Sequence, residues 1–310
     1  MRIFVTGASG WIGSAVVPEL IDAGHRVVGL ARSDASADAL AAAGAEAVRG
    51  TLDDLGVLRD TAAASDGVIH LAFKHDIAFT GDFQGAAEAD RRAVDAFGDA
   101  LAGTDRPFVL ASGLVGIAPG RVATERDMPT IDGSPTSIRQ ATAQAVLALA
   151  SRGVRSSVVR LSPTCHGEGD NGFTATLVAI ARRKGVSGYI GDGANRWPAV
   201  HRLDAARLFR LAVEKAPAGS VLHGAAEEGV AIREIAEVIG RHLDVPRASV
   251  APEGASEHFS WLGAFLRADA PASNTLTREL LDWEPTQPDL LADLDKGHYF
   301  HTPATPATTD

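Results

Sequence analysis

The sequence is poor in cysteine. Cys165 is the single one among 310 residues, so no disulfide can form within the chain, and a reducing, cytoplasmic setting is expected. No apolar run approaches 18 residues, which argues against a membrane-spanning helix. The opening residues pass straight into the strand-like IFVTG, leaving no space for the charged, apolar and cleavage regions of a secretion signal. Positive charge is in deficit: 29 Lys and Arg face 39 Asp and Glu, and the net charge of −10 argues against a nucleic-acid or anionic-membrane partner. No H-E-x-x-H and no cysteine pair occur, and His70 and His75 stand five apart across a strand end, so no metal site is expected. There is no internal repeat.

What is present is an ordinary core-forming composition, 45% hydrophobic and 22% charged, in a chain long enough for one large domain or a domain plus a lobe. In the first half, short apolar runs alternate with segments of helical spacing. Strands are expected at 2–6, 26–31, 47–49, 67–72, 107–111 and 155–161, and helices at 14–23, 37–43, 55–64, 86–101 and 137–150. Such alternation predicts a doubly wound parallel sheet of the Rossmann α/β class with helices on both faces. Beyond residue 163, proline, glycine and tryptophan become frequent and helices are interrupted. Helical spacing recurs at 173–184, 204–215, 232–243 and 256–266. The expected division is a nucleotide-binding domain over 1–162 plus about 200–215, a smaller substrate-binding lobe over 163–199 and 216–300, and a flexible tail over 301–310.

The first strand ends in TGASGWIG. Gly7, Gly10 and Gly13 give G-x-x-G-x-x-G between strand and helix: one glycine for the sharp turn, one for close approach to a pyrophosphate, one for tight helix–strand packing. Ser9, Trp11 and Ile12 fill the turn, and the helix head offers unpaired N–H groups to phosphate. After the second strand the chain reads GLARSD, with Arg32 nineteen residues past Gly13. A guanidinium beside the Ser33 hydroxyl suits a 2′-phosphate and therefore NADP(H), while Asp34 offers the alternative of a ribose diol.

TGASGWIG, LAR, GVIHLAF, VLASG, VVRLSPTCHG and VHRLDAA follow one another in the order and spacing of the extended and atypical short-chain dehydrogenase/reductases, which the chain resembles over about residues 1–300. That family includes nucleotide-sugar epimerases and dehydratases, 3β-hydroxysteroid dehydrogenase-like proteins and aldehyde or ketone reductases. HLAFKHD, HGEGDNGF and GDGANRWPAVHRLD look closest to its bacterial 3β-hydroxysteroid dehydrogenase-like members. The resemblance adds Leu52, Leu71, Ala72, Phe73, Gln140 and Ser162 to the expected cofactor-binding residues. It also implies a serine or threonine with a Tyr-x-x-x-Lys pair as the proton relay. Here the sequence departs from the family. Its two tyrosines, Tyr189 and Tyr299, are followed four residues later by Gly193 and Pro303, so the pair occurs nowhere. Alignment puts Thr136 at the tyrosine position, Gln140 at the lysine position, and Ser112 or Gly113 at the serine position.

Three readings follow. The first is an NADPH-dependent reductase of a C=O or C=N bond in a small, moderately apolar molecule, with a substitute proton donor on the loops after the strands. Ser112, Lys74 and His166 are the candidate catalytic groups. Against them stand a local backbone bond for the serine, a solvated loop lysine and a structural histidine. His75 and Asp76 are a weaker acid–orienter pair, and His201 is expected to orient the lobe through Asp204. Cys165, beside His166, makes a poor nucleophile because sequential neighbours diverge in extended chain. The second reading is an epimerase or dehydratase with a retained cofactor, for which Arg182, Arg183, Lys184 and Arg196 would hold a nucleotide, against the alternative that the first three form a charged helix terminus. The third is a non-catalytic NADPH sensor or scaffold. The lobe aromatics Trp197, Phe259, Trp261 and Phe265 line a pocket or form core. By analogy with relatives, helices 86–101 and 137–150 would pair two copies into a homodimer.

Overall fold

The computed structural model describes residues 1–78, 81–133 and 135–301, with the side chains of Pro135 and Thr136 left aside. Thr136 as a relay residue and the expected tail beyond residue 301 therefore lie outside what is described. The chain begins β1 (Arg2–Thr6), α1 (Gly13–Asp22), β2 (Arg26–Ala31), α2 (Asp34–Ala42), β3 (Glu46–Arg49), α3 (Leu55–Ala63), β4 (Gly67–His70), α4 (His75–Ala78) and α5 (Phe83–Leu101). It continues β5 (Pro107–Gly113), α6 (Pro135–Ala148), β6 (Arg155–Leu161), β7 (Thr164–His166), α7 (Phe173–Lys184), β8 (Ser187–Ile190), β9 (Arg196–His201) and α8 (Arg202–Lys215). The last third holds β10 (Ser220–Gly224), β11 (Glu227–Ala231), α9 (Ile232–Leu243), β12 (Arg247–Val250), α10 (Ala255–Phe259), α11 (Leu262–Leu266), α12 (Thr275–Leu281) and α13 (Leu290–Asp295).

Among the described residues, seven strands form one parallel sheet in the order β3-β2-β1-β4-β5-β6-β10. The chain reverses direction across the sheet between β1 and β4, the crevice where doubly wound sheets bind nucleotides. The strands are apolar on both faces because helices cover both. Ile3, Val5, Ile69, Val109 and Val159 face α1 and α8, while Phe4, Val28, Val68, Phe108 and Val158 face Phe97 of α5 and Val146 of α6. A second core belongs to the lobe, with Leu177, Ile180, Trp197, Ile235, Ile239 and Phe259 at its centre. Smaller sheets β11-β9-β7 and β12-β8 frame it.

Two expectations change. Residues 220–224 fall within the span expected for the lobe, yet Ser220–Gly224 pairs in register with Ser157–Leu161 and closes the edge of the main sheet. The short run SVLHG carries no local mark of that long-range pairing. The helical spacing over 256–266 is interrupted at Ser260, where φ is 55°, so α10 and α11 form in place of one helix. Trp197 and Phe259 are fully buried, and Trp261 and Phe265 close around Phe173 at ring distances of 5.4 and 5.6 Å, so these aromatics serve as core.

Candidate active site

The glycine turn sits at the carboxyl ends of β1 and β4. Gly7 has φ 65°, and a Cβ there would lie 2.8 Å from the Ala72 amide nitrogen. A Cβ on Gly13 would lie 2.1 Å from the Gly7 carbonyl oxygen. Ser9 and Gly10 are exposed at the turn, and no side chain caps the head of α1. The amides of Ser14, Ala15 and Val16 donate to the Gly10 and Ile12 carbonyls, so among the described residues the amides left without an acceptor are those of Trp11, Ile12 and Gly13, where an anion-binding helix start needs them.

Along the adjoining rim, the Arg32 guanidinium is 75% exposed and reaches Asp76 at 3.6 Å. Ser33 caps α2, accepting from the Ser36 amide at 3.2 Å. Asp34 is paired with Arg49 at 2.8 Å. Lys74 is bound to Asp53 at 2.6 Å, with Arg92 on the other oxygen at 3.6 Å. Leu52 is core, and Leu71 to Phe73 continue from β4 along the crevice.

Below this rim runs a buried chain that the sequence did not single out. Thr6 Oγ1 meets His70 Nδ1 at 2.5 Å, and His70 Nε2 meets Asp90 of α5 at 3.1 Å. Thr6 Oγ1 also accepts from the Ala72 amide at 3.3 Å, tying the ends of β1 and β4 together.

At the end of β5, Ser112 is buried and its Oγ has no hydrogen-bond partner among the described residues. Gln140 of α6 donates from Nε2 to the Gly113 carbonyl at 3.1 Å, leaving a buried Oε1 equally unpartnered. Arg139, the residue before it, donates to the Ala111 carbonyl at 3.2 Å and lies 4.0 Å over the Phe73 ring. The fold thus gathers Phe73, Ser112, Gln140 and Arg139 at one edge. Sequence reasoning missed Arg139, although it adjoins the vacated lysine position.

Other expected site residues lie elsewhere. Ser162 donates its hydroxyl to the Gly224 carbonyl at 2.8 Å, fastening β10. His166 is fully buried, bound through Nδ1 to Asp293 at 3.0 Å and edge-on to His201 at 5.3 Å, because β7 and β9 place the two histidines opposite each other. Burial alone would raise the Asp293 carboxyl, but the His166 hydrogen bond and charge, with His298 and His201 behind, hold it below the usual range. His166 Nε2 has no hydrogen-bond partner among the described residues, yet the ring's contacts, Asp293 and His201, belong to the lobe and the head of α8. His201 does not act through Asp204. Its ring accepts the Leu203 amide at 3.3 Å, while Asp204 accepts the amides of Thr286 and Gln287 at 2.9 and 3.0 Å. Burial pushes the Cys165 thiol far up, in keeping with an inert side chain. The Tyr299 hydroxyl is occupied by Asp170 and the Gly167 amide, and burial raises it too, so it is no substitute for the missing tyrosine.

Arg160, the neighbour of Ser112 across β5 and β6, anchors a second buried cluster. It donates to the Asp127 carbonyl at 2.9 Å and to His223 Nε2 at 3.4 Å. His223 Nδ1 faces the Ser273 carbonyl at 2.8 Å, and Thr277 links the His223 amide to Glu125 at 2.7 Å on each side. Burial is the main reason His223 stays neutral, and the Arg160 guanidinium adds to it against the pull of Glu125. The unfolded chain takes up this proton near pH 6.5 and the folded chain resists it. Stability is therefore expected to fall as pH drops below about 6.5, by up to about 1.4 kcal/mol per pH unit from this group. Urea midpoints at pH 7.5 and 5.5 measure the loss, and His223→Gln should flatten it.

The family model for the NAD-dependent epimerase/dehydratase family matches residues 3–223. An uncharacterised Schizosaccharomyces pombe protein, C2A9.02, is 48% identical over 302 residues, covering 97% of this chain and 100% of that one. An uncharacterised Saccharomyces cerevisiae protein, YLL056C, is 45% identical over 95% of this chain and 98% of its own length. The dTDP-glucose 4,6-dehydratase DesIV of Streptomyces venezuelae, solved with NAD, superposes with a TM-score of 0.75 at 20% identity over 96% of each chain. The glycine turn, the strand order and these similarities converge: the chain belongs to the NAD-dependent epimerase/dehydratase family.

Proposed function

We propose that the chain is an NADP(H)-dependent oxidoreductase that reduces the carbonyl group of a small, moderately apolar molecule at the carboxyl edge of β5. The observation that carries this reading is the pair of buried polar atoms there without a hydrogen-bond partner among the described residues, Ser112 Oγ and Gln140 Oε1. Such an atom costs about 1–3 kcal/mol unless a ligand engages it.

The uncapped head of α1 and the glycines packed against it fit a dinucleotide pyrophosphate, and Arg32 fits its 2′-phosphate. Asp34 is already matched by Arg49, which weakens the ribose-diol alternative. When bound, NADPH supplies the hydride. Ser112 Oγ–H donates to the substrate oxygen, where negative charge develops, and hands on a proton drawn from water. Gln140 is anchored on Gly113 and keeps Oε1 to accept from the nicotinamide ribose. Arg139 returns to this edge the positive charge that the absent lysine would have given. Lys74 and His166, engaged by Asp53 and Asp293, are not required as donors. Two copies would pair through α5 and α6. The outward face of α5 carries charge pairs such as Arg91–Asp95, so that contact would be polar.

Stopped-flow mixing with aldehydes, ketones and imines tests the reaction. NADPH consumption supports the reductase. Product without net consumption would support an epimerase or dehydratase, and tight binding without turnover would support the sensor that the missing relay favours. Arg32→Glu is expected to weaken NADPH about 10- to 100-fold and leave NADH unchanged. An equal loss for both coenzymes in fluorescence titrations would overturn the phosphate assignment.

A further inference from the structure

Beyond Ser112 the chain does not cross directly to α6. It loops out through Leu114–Ala123 and meets the lobe, where the Ala123 amide donates to the Pro271 carbonyl and the Ser273 amide to the Ala123 carbonyl, each at 2.8 Å. Between this loop and residues 268–271 lies a cavity of about 200 Å³. Its wall starts at Leu114, two residues past Ser112, and includes Ile117, Ala118, Pro119, Ala123 and Pro271.

The lining carries one charged group, Asp269, and that carboxylate is already matched. Arg196 donates to it from Nε at 3.2 Å, from Nη2 at 3.1 Å and from its backbone amide at 2.7 Å. Arg121, at the end of the loop, is paired with Asp127. No unpaired cation faces the cavity from its lining residues, so a diphosphate or carboxylate placed there would give up water against a mostly apolar wall without gaining a counter-charge. Size points the same way. An apolar cavity of about 150 Å³ is known to take up benzene, so this one suits a single substituted ring.

We infer that the cavity takes the uncharged ring of an aromatic or similarly compact carbonyl compound, with its carbonyl held at Ser112. The inference rests on the reading of the β5 edge as the reaction site. It sets the substrate class apart from nucleotide sugars, because shape and charge select a neutral ring there.

Two aldehydes of matched shape and opposite character test it: 4-nitrobenzaldehyde, which is neutral, and 4-formylbenzoate, which is anionic. Calorimetric titration of the full chain in saturating NADP⁺ is expected to show the neutral aldehyde binding at least about tenfold more tightly. UDP-glucose should not displace it. Ala118→Phe fills the cavity and is expected to weaken the neutral aldehyde about tenfold or more while NADPH affinity stays unchanged. Equal binding of the two aldehydes, displacement by UDP-glucose, or undiminished binding by Ala118→Phe would overturn the inference. Should that variant fold poorly, the two aldehydes on the unaltered chain decide alone. Selective binding without NADPH consumption would leave the cavity's assignment standing and remove the reductase. Consumption with the two aldehydes bound alike would do the reverse.

Discussion

Gly13→Ala is expected to abolish coenzyme binding and to destabilise the fold by about 2–4 kcal/mol. The added carbon would stand 2.1 Å from the Gly7 carbonyl oxygen and 2.7 Å from the Ala8 backbone. All of these are main-chain atoms, so no side chain can swing aside, and the head of α1 must shift away from β1. That shift moves the amides proposed for pyrophosphate, and an anion site made of backbone N–H groups tolerates little displacement. Gly24→Ala is the control. Gly24 has φ 83° with nothing within 4 Å of the added carbon, so it should lose about 1–2 kcal/mol from backbone strain and keep its coenzyme. Urea midpoints and NADPH fluorescence titrations of the two variants separate the effects. Unaltered coenzyme binding by Gly13→Ala would sink the assignment of this turn as the cradle.

The same geometry explains how much of the fold was legible. G-x-x-G-x-x-G between an apolar run and a helical stretch is a local pattern, and its spacing fixes strand end, turn and helix start without help from elsewhere. The alternation of β1 to β6 with helices was legible for a similar reason, since each element carries its own period. What escaped depends on distant partners. SVLHG becomes β10 because β6 has an open edge, a fact about residues some sixty positions earlier. Arg139 joins the site because the ring of Phe73, on another strand's exit, lies under it. His166 follows β6 in the sequence, but its surroundings turn on Asp293, 127 residues further along the chain. Ser112 and Gly113, the two alternatives one residue apart in the sequence, have different surroundings in the fold. Ser112 lies buried beside Arg160, while Gly113 offers its carbonyl to Gln140.

Ser112→Ala is expected to slow carbonyl reduction about 10²- to 10³-fold in kcat. NADPH affinity should hold, because the proposed coenzyme contacts are the glycine turn, Arg32 and Gln140, not Ser112. Stability should move in the opposite direction. The Ser112 hydroxyl is buried without a partner among the described residues, so alanine removes an unsatisfied group and is expected to stabilise the chain by about 1 kcal/mol. The opposed signs make the experiment discriminating. A serine kept for the fold would lose stability with its hydroxyl, through a vacated hydrogen bond, and would leave kcat near its starting value. A serine kept for the oxyanion holds an unmet bond in the resting protein so that it is free when charge develops on the substrate. Steady-state kinetics and urea unfolding of the one variant read both quantities. A variant that is less stable and undiminished in kcat would remove Ser112 from the chemistry and, with it, the main support for a reaction at the end of β5.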